Sequence, residues 1–262
     1  MKYGFIGCGN MGSAIAKAIS AVTKEIFITD RSGNAKKIAQ DLQITYSTAA
    51  HIAQECDRIF LAVKPQMMEN ALSPLKEAFQ EKHPLLITMA AGLTMERIEQ
   101  MAGCKLPIIR IMPNTPVAVQ SGMTLYCCNE FVDKETEHSF LEDMHYTGIL
   151  AKLPENLIDN AGVVSGCGPA YMYMFMEALA DGAVACGVPR AQALEYAAAT
   201  MIGAGQMYLQ TRQHPGQMKD MVCSPGGSTI AGVLALEQHG FRGAIMECVK
   251  AAYHRNQELG KA

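Results

Sequence analysis

A glycine-rich turn between a strand-like and a helix-like segment constrains the fold of this chain more than any other feature. Residues 2–6 are an apolar run typical of a strand, and residues 13–19 read as a helix. Between them lies Gly7-Cys8-Gly9-Asn10-Met11-Gly12, which matches the G-x-G-x-x-G fingerprint of a dinucleotide-binding βαβ unit. Gly7 permits the tight turn, Gly9 lets backbone N–H groups approach a pyrophosphate, and Gly12 lets the helix pack on the strand. We therefore predict a dinucleotide site here, although a glycine turn without a ligand would have the same sequence.

An acidic residue and a basic residue follow the second predicted strand, residues 25–29. Asp30 lies about twenty residues beyond the glycines, where a ribose contact is expected, and this favours NADH. Arg31 and Ser32 come next, and a guanidinium beside a hydroxyl suits a 2′-phosphate, which favours NADPH. The residues leave both cofactors open. We predict NADP, with NAD as the alternative.

Strand-like and helix-like segments alternate through the first half of the chain. Such alternation predicts a parallel sheet with right-handed crossovers, and ligands bind outside the carboxyl ends of its strands. The further predicted strands are residues 44–46, 58–63, 85–89, 107–112, 123–128 and 149–153, and the predicted helices are residues 34–42, 48–56, 94–103 and 133–146. Another helix should follow Pro65, with Met68, Leu72 and Leu75 on one face. Residues 62–65, 90–92 and 113–116 lie at strand ends, where they either terminate strands or line the site.

The character of the sequence changes at Pro154. Beyond it we find no convincing strand, and helices are predicted at residues 157–165, 170–186, 189–211 and 230–238. The helix at 170–186 is apolar on nearly every face and should be buried. A small helical domain can hardly bury it alone, so a partner subunit is expected. We predict an α/β fold with a Rossmann-type dinucleotide-binding domain, residues 1–153, followed by an all-helical dimerisation and substrate domain, residues 154–262.

Composition excludes several classes of protein. The formal net charge of the 262 residues is −3 and no long basic run occurs, so neither nucleic acid nor a membrane surface is an expected partner. The uncharged stretch at residues 160–176 contains Ser165 and Pro169 and is not a membrane span. Nine cysteines are scattered without a C-x-x-C pair, which favours reduced thiols, a cytoplasmic location and no metal site.

A second glycine-rich loop lies in the helical half. Residues 222–229 read Val-Cys-Ser-Pro-Gly-Gly-Ser-Thr, a turn that leads into the helix at 230–238. Unpaired N–H groups and the positive end of the helix dipole would suit a small anion such as a carboxylate. A simple capped helix after a tight turn has the same pattern, so spacing alone leaves both interpretations open.

Several motifs together resemble those of the pyrroline-5-carboxylate reductase family. The matching stretches are residues 5–12, 61–65, 90–92, 112–116, 166–171, 177–182, 214–220, 224–230 and 240–242, in order along the whole chain. The resemblance implies reduction of pyrroline-5-carboxylate to proline with a nicotinamide cofactor, the last step of proline biosynthesis. It also implies a Rossmann-type domain followed by a helical domain that interlocks in a homodimer, with decamers of five dimers in some members.

The resemblance also implies roles for individual residues. The substrate carboxylate would dock on Ser224, Gly227, Ser228 and Thr229, and Thr229 is the predicted catalytic residue because its hydroxyl can reach the carboxylate or the ring nitrogen. Glu155 matches a family acid near the substrate, but also reads as a solvated acid at a helix start. The predicted cofactor-binding residues are Gly7, Cys8, Gly9, Asn10, Met11, Gly12, Asp30, Arg31, Ser32, Ala62, Val63, Lys64, Pro65, Ala90, Ala91 and Gly92.

The sequence departs from the family pattern at two places. Cys167 stands where the family often has serine, a nearly isosteric change that we expect to be tolerated. Ala49 stands where some members have an asparagine near the cofactor phosphate, which adds to the ambiguity about NADPH.

Two alternative functions fit part of the pattern. A 3-hydroxyacid dehydrogenase-like oxidoreductase would need a catalytic lysine on the first long helix of the second domain, and residues 170–186 contain none. A non-catalytic nicotinamide-nucleotide sensor would keep Gly7, Gly9 and Gly12, but would not need the loop at 224–229.

Overall fold

An eight-stranded sheet forms the first part of the structure, a computed structural model that describes residues 1–259. The strands are β1 (Tyr3–Ile6), β2 (Ile26–Thr29), β3 (Thr45–Tyr46), β4 (Arg58–Leu61), β5 (Leu85–Thr88), β6 (Ile108–Met112), β7 (Gly122–Cys128) and β8 (Gly148–Lys152). The helices associated with them are α1 (Asn10–Ser20), α2 (Asn34–Leu42), α3 (Ala49–Glu55), α4 (Met68–Leu72), α5 (Lys76–Lys82), α6 (Met95–Ala102), α7 (Lys134–Asp143) and α8 (Glu155–Ser165).

The strand order is β3-β2-β1-β4-β5-β6-β7-β8. Strands β1 to β6 are parallel and have the order of a doubly wound nucleotide-binding sheet. The chain moves outward in opposite directions from β1 and β4, so the topological switch point lies between these two strands. The turn at residues 7–9 and the loop at 62–65 follow them, and this is where such folds bind ligands.

Strand β7 corrects the prediction of a wholly parallel sheet, because it pairs antiparallel with β6. Residues 113–121 join the two strands and contain only a 3₁₀ turn, Thr115–Val119. A parallel crossover needs about a dozen residues or more, usually including a helix, so this connection can only form a return. Strand β8 is parallel to β7 and therefore also runs against the first six strands.

The two faces of the sheet carry separate apolar cores. One core packs Ile59 and Leu61 of β4 against α3, α5 and α6, with Phe79 and Ile98 fully buried. The other packs Phe5 and Phe60 against α1, and the two rings stack with centroids 4.5 Å apart. Strands covered on both faces read as continuous apolar runs, which is why β4 and β5 could be recognised from sequence.

The described chain divides into two compact units. The first comprises residues 1–169 together with the C-terminal residues from Tyr253, and the second comprises Ala170–Ala252. Helix α8 contributes Ile158 to the core under β6 and β7, so it belongs to the first unit although it follows Pro154. The predicted boundary between residues 153 and 154 follows directly after the last strand of the sheet. The division of the chain into two domains at this point stays a prediction.

Helices make up the rest of the described chain. They are α9 (Gly168–Ala185), α10 (Arg190–Thr211), α11 (Pro215–Met221), α12 (Ser228–Gln238) and α13 (Phe241–Leu259). No strand follows Lys152 within residues 153–259, as the sequence predicts. Among the helices described, none is both long enough and apolar enough to cross a bilayer.

The predicted helices have somewhat different ends in the structure. Helix α1 begins at Asn10 rather than 13, because Gly9 is its N-cap, and α8 begins at Glu155 rather than 157. The helix predicted for 133–146 ends at Asp143 and continues as a 3₁₀ turn. Helices α11 and α13 were not predicted from periodicity, since α11 is short and α13 carries charges along its length.

Candidate active site

The glycine turn after β1 has the geometry that the fingerprint requires. Gly7 has φ +106°, and a Cβ there would lie 2.5 Å from the carbonyl oxygen of Ala62. A Cβ on Gly12 would lie 2.5 Å from the carbonyl oxygen of Gly7 and 2.8 Å from the Cβ of Ala62. Both glycines therefore permit close packing of the turn, α1 and the end of β4, and the two mechanical roles predicted from sequence are present.

Gly9 has a different environment. A Cβ at this position would meet no atom within 4 Å, and Gly9 and Asn10 are exposed. Gly9 is also the N-cap of α1, without a side-chain cap and without an acidic residue in the first turn. The first-turn N–H groups and the positive end of the helix are therefore open to a phosphate. These residues fit the pyrophosphate of a dinucleotide.

Cys8 and Met11 complete the turn as packing residues. Cys8 is buried, with its Sγ 3.6 Å from the carbonyl oxygen of Thr29. Burial, with a smaller contribution from Asp30, raises the pKa of the Cys8 thiol to about 12. Met11 is half-buried against the core on the α1 face. Cys8 is accordingly an inert neutral thiol at neutral pH, and its place in the predicted cofactor site is structural.

The loop after β2 places Asp30, Arg31 and Ser32 at the next strand end. The Asp30 carboxylate accepts hydrogen bonds from the Ser32 hydroxyl at 2.6 Å and from the backbone N–H of Gly33 at 3.0 Å. Arg31 is exposed and has no ion pair with any described residue. The carboxylate thus shapes the loop that begins α2, while the guanidinium stays available to an anion.

The two remaining predicted cofactor segments lie at adjacent strand ends. Ala62 continues from β4, with its N–H bonded to the carbonyl oxygen of Ile6, and exposed Lys64 precedes a 3₁₀ turn that begins at Pro65. After β5, Ala90 is buried, Ala91 is exposed and Gly92 has φ +75°. Val63 is half-buried. The structure therefore brings these segments to the same edge of the sheet as the glycine turn.

The predicted carboxylate-binding loop forms a tight turn in the second unit. The N–H of Gly227 bonds to the carbonyl oxygen of Ser224 at 3.0 Å, and Gly226 between them has φ +70°. Proline followed by a glycine with positive φ is the pattern of a type II turn. A Cβ on Gly227 would meet the Ser224 hydroxyl, so a side chain there would require that hydroxyl to rotate away from the turn.

Helix α12 begins directly after this turn. Gly227 is its N-cap with no side-chain cap, and the first intrahelical hydrogen bond runs from Ala231 N–H to the Gly227 carbonyl oxygen. Among the described residues, the N–H groups of Ser228 and Thr229 and the Thr229 hydroxyl have no hydrogen-bond acceptor. Several hydrogen-bond donors without acceptors therefore lie together at the N-terminus of α12, an arrangement that suits the binding of a carboxylate.

A cavity of about 450 Å³ opens beside the same turn. Apolar side chains of α12 line most of it, and Lys219 and Glu237 lie at its boundary. The lining residues are Lys219, Gly226, Gly227, Ile230, Ala231, Val233, Leu234 and Glu237. The second unit thus combines helix-terminal donors with an adjacent apolar surface.

Glu155 lies in the first unit, at the start of α8. Its Oε1 accepts a hydrogen bond from the backbone N–H of Met95 at 2.7 Å and lies 3.6 Å from Nη1 of Arg110. These contacts hold the acid to α6 and β6. Its role near a substrate stays a prediction.

Sequence reasoning gave no individual role to two polar residues of this region, although Asn114 lies in the strand-end loop at 113–116. Arg110, in the middle of β6, is 2% exposed and donates to Asp159 at 2.6 Å. Asn114 is buried and bonds to both β7 and the end of α8. The available signal for Arg110 was a single charge within the apolar strand Ile-Ile-Arg-Ile-Met.

Comparisons with known proteins account for both halves of the chain. Residues 155–259 match the family model for pyrroline-5-carboxylate reductase dimerisation, and residues 2–92 match the model for coenzyme F420-dependent NADP oxidoreductase. The pyrroline-5-carboxylate reductase of Escherichia coli is 39% identical, covering 100% of this chain and 99% of the relative. That of Synechocystis is 41% identical, again covering 100% and 99%.

A solved structure gives the same result at the level of the fold. The pyrroline carboxylate reductase of Plasmodium falciparum, crystallised with NADP bound, aligns with a TM-score of 0.86 and 32% identity. The alignment covers 99% of this chain and 98% of that one. The resemblance inferred from the motifs is thereby confirmed, and this chain belongs to the pyrroline-5-carboxylate reductase family.

Proposed function

We propose that this protein reduces 1-pyrroline-5-carboxylate to L-proline with NADPH, the last step of proline biosynthesis. The observation that carries the proposal is the open start of α12 behind the Ser224–Gly227 turn, in a chain that matches the family over its whole length. A helix start with unused donors fits the carboxylate of the substrate. The open N-terminus of α1 fits the pyrophosphate of the cofactor.

The residues of the second unit would bind and orient the cyclic imine. The N–H groups of Ser228 and Thr229 hold the carboxylate with the positive end of α12, and the Ser224 hydroxyl lies beside the same turn. The Thr229 hydroxyl donates a hydrogen bond either to the substrate carboxylate or to the ring nitrogen. Protonation of that nitrogen makes the imine carbon more electrophilic. When bound, NADPH supplies the hydride, so the protein's main tasks are positioning and exclusion of water.

The alternatives explain less of the chain. A 3-hydroxyacid dehydrogenase-like enzyme would need a lysine on α9, which has none, and a nucleotide sensor would not need the turn before α12. Steady-state oxidation of NADPH with pyrroline-5-carboxylate, compared with 3-hydroxyacid oxidation, tests the proposal. Binding of NADPH without turnover of the imine would contradict it.

We predict that Arg31→Ala weakens NADPH binding about five- to tenfold and leaves NADH binding nearly unchanged. The exposed guanidinium has no partner among the described residues, and charge-assisted hydrogen bonds to a 2′-phosphate lie near this magnitude at an accessible site. Dissociation constants for both nucleotides measure the effect. Arg97→Ala is the matched control, because Arg97 is also exposed in the first unit. An unchanged NADPH/NADH ratio in Arg31→Ala would remove Arg31 from the site.

We propose that the protein is a homodimer built by the helical unit, since that unit leaves large apolar side chains exposed in the single chain. On α9, Tyr173 is 59% and Met174 is 71% exposed, and on α10 Ile202 is 61% exposed. Sedimentation velocity at low micromolar concentration should show no monomer, and Ile202→Asp should produce one. Val22→Asp, at a position 62% exposed in the first unit, should leave the dimer intact. A stable wild-type monomer would contradict the proposal, and a decamer of five dimers would appear in the same experiment as a larger species.

We further propose a cytoplasmic location. The nine cysteines are all free thiols, including Cys186, which is exposed. A reducing compartment keeps thiols in this state. Fractionation of the native host would test the assignment.

A further inference from the structure

We propose that Asp30 and Ser32 are positioning residues that hold the loop around Arg31 for the 2′-phosphate of NADPH. In this role Asp30 is not the ribose ligand that the dinucleotide-binding fingerprint predicts. All three residues lie in the loop between β2 and α2. The inference rests on the proposed function, because that function names NADPH as the cofactor.

The loop lies directly beside the glycine turn that would bind the pyrophosphate. Strand β2 pairs in parallel with β1, and Thr29 is opposite Ile6 in the register. The N–H of Gly7 donates to the carbonyl oxygen of Thr29 at 2.9 Å, so the two strand ends are fixed to each other. Asp30 is the next residue along the chain. In this class of fold, a dinucleotide bound at the turn has its adenosine ribose beside the loop that follows β2.

Both oxygens of the Asp30 carboxylate are used within the loop itself. Oδ2 accepts a hydrogen bond from the Ser32 hydroxyl at 2.6 Å, and Oδ1 accepts one from the backbone N–H of Gly33 at 3.0 Å. Gly33 has φ +84° and is the N-cap of α2, so the carboxylate holds the chain where it turns into the helix. A ribose ligand would direct its oxygens at the ribose hydroxyls, whereas Asp30 directs both of them at its own loop.

The hydroxyl of Ser32 is engaged by the same contact. A serine hydroxyl has a single O–H to donate, and here it donates to Asp30. The guanidinium of Arg31 is therefore the side-chain donor that this loop leaves for a phosphate. Arg31 is exposed, forms no ion pair with any residue in the described range, and lies between the two residues that are held.

The two possible roles of Asp30 predict opposite effects of its removal. If the carboxylate binds ribose, Asp30→Ala weakens NADH binding and spares or favours NADPH. If it holds the loop, the variant frees Arg31, and ordering that residue again reduces the affinity for the 2′-phosphate. Loss of the charge also relieves repulsion of the phosphate. Solvent screens this repulsion because the loop is exposed, so we expect loss of the loop contacts to outweigh it.

The experiment measures dissociation constants of the intact protein for NADPH and NADH. Adenosine 2′,5′-bisphosphate and 5′-AMP are the second pair of probes, because they carry only the adenosine half of each cofactor. We expect Asp30→Ala and Ser32→Ala to raise the constants for the two 2′-phosphorylated probes about three- to tenfold, and those for the other two less than about twofold.

Two further variants serve as rescue and control. Asp30→Asn should restore most of the NADPH affinity, since its amide can accept from the N–H of Gly33 and donate to the Ser32 oxygen. Asp41→Ala removes an exposed carboxylate near the other end of α2 and should leave the ratio of the NADPH and NADH constants unchanged.

A double variant tests whether Asp30 acts through Arg31. In the Arg31→Ala background, Asp30→Ala should change NADPH affinity by less than about twofold, because the group that it positions is absent. Additive losses would overturn the proposal. Weakened NADH binding with NADPH spared would also overturn it, because the carboxylate would then be the ribose ligand.

The remaining outcomes are equally decisive. Equal losses for NADPH and NADH would show a merely structural role, and unchanged constants in Asp30→Ala and Ser32→Ala would show none; both overturn the proposal, as does a wild type that prefers NADH. If Asp30→Ala does not fold, Ser32→Ala decides the question. Tight NADPH binding without turnover of pyrroline-5-carboxylate would contradict the proposed function alone, so the two failures are distinguishable.

Discussion

Thr229→Ala is expected to lower kcat/KM for pyrroline-5-carboxylate by about ten- to a hundredfold, since hydrogen bonds to charged groups are worth about 1.5–3 kcal/mol. The hydroxyl lies in the first turn of α12, where it has no acceptor among the described residues. The variant keeps the backbone N–H groups and removes only this donor. Steady-state kinetics with NADPH measure the loss, and NADPH affinity should hardly change.

The way the loss divides between kcat and KM identifies the acceptor. If the hydroxyl binds the carboxylate equally in the ground state and the transition state, its removal raises KM. If it binds at the ring nitrogen, where the charge changes during hydride transfer, its removal lowers kcat. Thr200→Ala is the matched control: Thr200 is also exposed on a helix of the second unit, but its hydroxyl donates to the carbonyl oxygen of Tyr196. Wild-type kinetics in a folded Thr229→Ala would remove Thr229 from the active site.

Gly7→Ala is expected to lower the free energy of unfolding by roughly 2–5 kcal/mol, combining backbone strain at positive φ with overpacking. The backbone of Gly7 has φ +106°, and the new Cβ would meet the carbonyl oxygen of Ala62, which cannot move without moving β4. Thermal unfolding at one fixed protein concentration measures the loss, because the melting temperature of an oligomer depends on concentration.

Gly9→Ala should leave the stability nearly unchanged and instead weaken NADPH binding. No atom lies within 4 Å of the position that its methyl group would take and its φ is −72°, so stability should stay near that of the wild type. The methyl group would occupy space that a pyrophosphate needs, and NADPH affinity should fall about tenfold or more through lost charge-assisted hydrogen bonds. Gly187 has φ +94°, and no atom lies within 4 Å of the position that a Cβ would take there. Gly187→Ala therefore measures the backbone strain at positive φ without a steric clash. Equal destabilisation by Gly7→Ala and Gly187→Ala would show that the contact with Ala62 is unimportant.

Local patterns were enough to predict the framework of the first unit. Apolar runs bounded by turn residues predicted β4 and β5, and the strand–glycine–helix order predicted the turn at residues 7–12, because these features depend on neighbours in sequence. The same is true of the turn before α12, where proline and glycine determine the backbone directly. The function followed from motifs recognised together, since each alone allows a simple structural interpretation.

Pairings between distant residues could not be predicted in this way. The sequence placed Asp30 beside Ser32 without showing that its carboxylate would be occupied by the loop itself, and it gave Glu155 no partner. Arg110 was only a charge in an apolar strand until α8 brought Asp159 against it. Which donor meets which acceptor depends on how elements pack in space.

By itself, then, the sequence determined the nucleotide-binding turn, most strands and helices, and the family of the protein. The tertiary structure alone decided that β7 runs antiparallel to β6, that α8 belongs to the first unit, and that a buried arginine holds it there. The physical reason is the range of the interactions. Turns and periodic elements are fixed by residues close in the chain, whereas strand direction, buried charge pairs and exposed apolar faces depend on segments that meet only when the chain folds.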